Sequence, residues 1–150
     1  MDISKKLDEI KKSLDTSIKL VAVSKTKSNQ QIMEAYNYGQ RIFGENKVQE
    51  LTIKQNTLPN DIEWHMIGHL QRNKVKYIAS FVKLIHSVDN LKLLKEINKQ
   101  ALKNNLIIDC LLQIKIASED TKFGMSIDEA KSILSQEVKS LNNISIVGLM

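Results

Sequence analysis

The stretch LVAVSKTKS, residues 20–28, passes from apolar, β-favouring residues straight into Ser24, Lys25, Thr26 and Lys27. Leucine and valine suit a buried strand, and the polar residues after them suit the point where a strand leaves the core. Similar runs recur: IKLVAVS at 18–24, RIF at 41–43, IEWHMI at 62–67, LIHSV at 84–88, IIDCLLQIKI at 107–116 and ISIVGL at 144–149. Helical spacing fills the intervals at about 29–38, 46–55, 71–81, 90–104 and 127–140, and MDISKKLDEIKKSLD at the start reads as a charged amphipathic helix. Leu91, Leu94, Ile97 and Leu102 give the fourth interval an apolar stripe, and Ser126 with Glu129 three residues later gives the fifth a capping box. Strand alternating with helix is the grammar of a parallel α/β fold.

With 150 residues and 42% hydrophobic content, the chain is expected to make one domain over 1–150, and one proline with five glycines leaves no linker inside it. The net charge of +5 comes from lysines spread over every segment and interleaved with Asp and Glu. No arginine-rich stripe accompanies them, so a lysine-rich surface is the first reading and a nucleic-acid-binding module an alternative. Cys110 is the only cysteine, which rules out a disulfide within the chain and suits a reducing cytoplasm. No segment approaches the roughly 18 apolar residues of a spanning helix, and the N-terminus has no apolar export core.

Parallel α/β folds work at the carboxyl ends of their strands. Polar residues stand there after five of the runs: Ser24-Lys25-Thr26, Gly44-Glu45-Asn46, Gly68-His69, Asp89-Asn90 and Ala117-Ser118-Glu119-Asp120. Each could be ordinary loop and cap chemistry. Lys25 has two readings: a solvated surface lysine beside Lys27, slightly favoured locally, or an amine whose stem packs on apolar neighbours, partly desolvated and nucleophilic, as a Schiff base requires. His65 and His69 are four apart, but a glycine turn between them argues against a shared helix face and against zinc. His65 and His86 are read as hydrogen-bonded core histidines without an obvious partner. No phosphate loop of the GxxxxGK or GxGxxG type and no GxSxG elbow is present.

LVAVSKTKS at 20–28, FGENKVQE at 43–50, WHMIGHLQRNK at 64–74, HSVD at 86–89, QIKIASEDTKFG at 113–124 and GLM at 148–150 together resemble the pyridoxal phosphate homeostasis protein family. The resemblance runs in order from near residue 18 to the last residue. It implies a parallel (β/α) TIM-type barrel similar to the N-terminal domain of alanine racemase, here incomplete, with about six of eight strands. It also implies pyridoxal 5′-phosphate carried on Lys25 as a Schiff base. Asn46 and Met150 fall on strand ends that face the cofactor in similar barrels, and His65 and Gly68 are expected to shape the same mouth. The family's barrel continues past GLM through two further strands whose loops cradle the phosphate. The implied role is cofactor buffering and delivery to apo enzymes, without catalysis, by an intact protein that is a monomer, whereas the 150-residue chain is expected to self-associate. An amino-acid racemase is the alternative, although its second proton donor is expected from a β-domain, and Tyr36, Tyr38 and Tyr77 fall in predicted outer-layer helices.

Overall fold

A computed structural model describes residues 2–118 and 123–150. Glu119 and Asp120, flagged above beyond the fifth strand, lie outside the described residues. Strands β1 (Ala22–Val23), β2 (Ile42–Glu45), β3 (Glu63–Met66), β4 (Leu84–Val88), β5 (Ile108–Leu112) and β6 (Ile144–Leu149) form one sheet in sequence order. Every pairing is parallel. Helices α1 (Ile3–Ser13), α2 (Asn29–Asn37), α3 (Val48–Thr57), α4 (Leu91–Lys103) and α5 (Ile127–Ser135) accompany them. This is the expected parallel α/β sheet, an open part of a (β/α) barrel.

The core lies between the sheet and its helices. Phe43, Trp64, Met66, Ile85, Cys110 and Leu112 are buried on the sheet, against Ile32, Leu51, Leu94 and Ile97 from the helices. Along β5, buried Ile108, Cys110 and Leu112 alternate with half-buried Asp109 and Leu111, so one face carries the core and the other is open. Cys110 is a free thiol held in this core, and burial, helped by Asp109, pushes it up to about 12.

Three sequence expectations change. The interval 71–81 holds a 3-10 helix, Arg72–Tyr77, followed by turns, because three-residue spacing aligns Val75 with Ile78, and packing these two beside α4 overrides the weak helix preference of β-branched and aromatic residues. In α4 the buried stripe is Leu93, Leu94, Ile97 and Ala101; Leu102, five residues beyond Ile97, turns away from that face and is 58% exposed. β1 shrinks to two residues because it has a neighbour on one side only. At α5, Ser126 caps as expected by accepting from the Glu129 amide, whereas a complete capping box forms at α2 between Ser28 and Gln31.

Candidate functional site

Lys25 follows β1 in a tight turn: the Ser24 amide donates to the Gly44 carbonyl, and the Lys27 amide donates back to the Ser24 carbonyl, each at 3.0 Å. Thr26 takes φ +62°, a left-handed conformation unusual for a β-branched residue and costing about 1–3 kcal/mol. A buried cluster holds this turn from below. Lys54, on α3 with its side chain only 6% exposed, donates from Nζ to the Ser24 carbonyl (2.7 Å), Glu45 Oε1 (2.6 Å) and Glu50 Oε1 (2.7 Å). Ser24 Oγ donates to Glu45 Oε1 (2.6 Å), and the Thr26 amide donates to Glu50 Oε1 (2.7 Å). The Lys54 ammonium holds the Glu50 carboxyl below its ordinary range, against the opposing effect of burial. Lys25 itself is exposed, so the expected desolvation by apolar neighbours is not found in the described residues.

Register places the other residues. Val23 pairs with Gly44, Gly44 with His65, and His65 with Leu84, so these share one face, the one on which a strand continued past Val23 would carry Lys25. His86, two residues beyond Leu84, lies on that face too, and His65 Nδ1 meets His86 Nε2 at 2.9 Å. Each histidine is thus the partner that sequence alone did not reveal. Burial pushes His65 down to about 4, with smaller contributions from His86, Lys19 and Lys83, and burial lowers His86 as well.

Asn46 and Gly68 meet: a Cβ on Gly68 would stand 2.3 Å from the Asn46 carbonyl oxygen, so only glycine lets the loops after β2 and β3 approach this closely. Asn46 also lines a cavity of about 730 Å³ with Lys47, His69, Gln71, Lys74 and Tyr77. Met150 lies apart, beside a cavity of about 500 Å³ with Gln113, Ile114 and Phe123 at the β5–β6 edge. His69 pairs with Asp89 at 3.4 Å and stacks on Phe123 with ring centroids 3.6 Å apart, while Asn90 caps α4 by accepting from the Leu93 amide. His65 and His69 therefore have different partners, as the glycine turn suggested. The cluster of Glu45, Glu50 and Lys54 was not singled out from the sequence; Glu50 and Lys54 are four apart on α3, a spacing that ordinarily marks an exposed helix pair rather than a buried one.

The alanine racemase N-terminal domain profile matches residues 2–150. A pyridoxal phosphate homeostasis protein from Aquifex aeolicus is 39% identical, over 99% of this chain and 68% of the relative. One from Helicobacter pylori is 42% identical, over 89% of this chain and 61% of the relative. The chain belongs to the pyridoxal phosphate homeostasis protein family. It spans 61–68% of the length of these two relatives. Among solved structures, PipY of Synechococcus elongatus without PLP superposes with a TM-score of 0.93 at 35% identity, over 99% of this chain and 69% of PipY. PipY with PLP bound gives 0.90 at 34% identity, with the same coverage. An alanine racemase of Clostridium difficile shares the fold, with a TM-score of 0.78 at 17% identity over 99% of this chain and 39% of the racemase.

Proposed function

We propose that the intact protein binds pyridoxal 5′-phosphate through Lys25, as a Schiff base, and acts in the cytoplasm as a non-catalytic reservoir that buffers the free aldehyde and supplies apo enzymes. The observation carrying this reading is a primary amine presented on a clamped turn at the carboxyl end of β1. The donor set suits the cofactor: Lys25 Nζ would hold it at its aldehyde carbon, a C=N bond replacing the C=O as water leaves. When bound, the cofactor supplies that electrophilic carbon and a conjugated ring that absorbs visible light. In this reading Asn46, Gly68 and His65 shape the mouth that serves Lys25, and Met150, at the far β6 edge, would face the cofactor only once the barrel is closed. Residues 1–150 form one barrel unit, closed by further strands that complete the phosphate site. The relatives' names, the PLP-bound PipY and the absence, among the described residues, of any helix long and apolar enough to cross a membrane support this reading.

Borohydride reduction of the intact protein mixed with pyridoxal 5′-phosphate tests it. The label is expected on the tryptic peptide carrying Lys25 and is lost in Lys25→Ala, whereas Lys27→Ala retains it. Undiminished labelling in Lys25→Ala would overturn the assignment.

A further inference from the structure

We infer that Lys54, Glu45 and Glu50 are positioning residues that set the Lys25 turn, so that covalent capture of an aldehyde depends on a buried ion cluster that does not touch the ligand. The inference rests on the reading of Lys25 as the amine that forms the covalent bond.

The bonding pattern carries the argument. Lys54 makes three hydrogen bonds, and one ends on the backbone carbonyl of Ser24, the residue before Lys25. Glu50 makes two, and one ends on the backbone amide of Thr26, the residue after it. Glu45, whose side chain is fully buried, ties Lys54 to Ser24 by accepting from Lys54 Nζ and Ser24 Oγ on the same oxygen, and Lys54 bridges it to Glu50. Both peptide neighbours of Lys25 are thereby tied to α3 and β2, while the Lys25 side chain stays exposed.

Stability alone is a poor account of such a cluster. Removing the Glu45 carboxylate and the Lys54 ammonium from water is costly, and well-packed apolar residues often replace buried ion pairs without loss. The second Glu45 oxygen, Oε2, is buried without a partner, so the cluster is not optimised even as a hydrogen-bond network. One of its bonds instead meets Thr26, which among the described residues is the non-glycine residue held at positive φ beside an exposed amine. Local sequence does not favour that conformation at Thr26, so something outside the turn has to hold it, and the Glu50 carboxylate on the Thr26 amide is the bond in place to do so. Because Lys54 and Glu50 both belong to α3, the amine's position is referenced to a helix rather than to a free loop.

The experiment uses the intact protein with Glu50→Ala, Glu50→Gln and Lys54→Met. Amide hydrogen exchange over residues 24–27 is followed without cofactor, and the visible C=N band is followed during titration with pyridoxal 5′-phosphate. Glu50→Ala and Lys54→Met are expected to speed exchange at Thr26 and Lys27 by about tenfold or more relative to β4, and to weaken half-saturation of the band by about tenfold, the effect of losing one well-made bond to a charged group. Glu50→Gln keeps an acceptor at the same place and is expected to stay within about threefold of the parent. If Lys54→Met does not fold, the two Glu50 variants decide, since Glu50 is 28% exposed and tolerates truncation. Unchanged exchange and half-saturation in Glu50→Ala would overturn the inference, and so would weaker binding with unchanged exchange, which would mean that the charges act on the ligand directly. A parent protein that shows no band would overturn the covalent reading of Lys25, while the exchange arm would still report whether the cluster sets the turn.

Discussion

His65 and His86 face one another on the open side of the sheet, and between two neutral imidazoles one ring nitrogen donates while the other accepts. An unfolded histidine titrates near 6.5, and His65 in the fold is held near 4, chiefly by burial. Above pH 6.5 both states are neutral and the residue contributes no pH dependence. As pH falls from about 6.5 toward 4, the unfolded state takes up the proton first, so stability falls through that window by up to roughly 3 kcal/mol. The melting temperature of the intact protein is therefore expected to drop between about pH 6.5 and pH 5, before most carboxylates titrate, and His65→Gln is expected to flatten that drop. Equal slopes in parent and variant would show that His65 is already protonated in the fold or that its burial is relieved.

The strands and helices make different demands on a reader of the sequence. β4 and β6 fall on LIHSV and ISIVGL because each run is short, apolar and β-branched. The place of Lys25 just beyond β1 was legible for a related reason, as the first long polar side chain after an apolar run, whereas local sequence slightly favoured a surface lysine and only the family resemblance pointed to a cofactor amine. The pairing of His65 with His86 was not, since it depends on the register that sets His65 opposite Leu84, a relation between strands that neither strand encodes alone. The buried cluster joins β1, β2 and α3 in the same way. Gly68 tests how tightly the elements fix the mouth. The atoms its Cβ would meet at 2.3 and 2.7 Å are the Asn46 backbone oxygen and Cα, which cannot swing aside as a side chain could. Gly68→Ala is expected to cost roughly 1–3 kcal/mol of stability by forcing the two loops apart. A melting temperature equal to the parent's would show that the loops separate freely and that their contact does not hold Asn46 in place.

A six-stranded sheet of this order has two open edges, because β1 pairs only with β2 and β6 only with β5. An unpaired strand offers free amides and carbonyls to any other chain, and closing a barrel removes that exposure. The two edges are not equally protected. Lys19, Lys25 and Lys27 flank β1, and charged residues of this kind discourage edge pairing. The run ISIVGLM at 144–150 carries no charge, and Val147, Leu149 and Met150 are exposed along it. A polypeptide of residues 1–150 is therefore expected to self-associate, with β6 as the adhesive edge, and one extended by the two further strands that the family resemblance implies is expected to be monomeric. Light scattering after size exclusion separates the two. Val147→Lys in the 150-residue polypeptide places a charge on that edge at an already exposed position, and is expected to restore the monomer with little change in melting temperature. If the 150-residue polypeptide runs as a monodisperse monomer with a cooperative melt, its edges are covered in solution. If Val147→Lys leaves the association unchanged, the contact runs instead through β1 and the groove beside it lined by Ile3, Leu7, Val23 and Phe43.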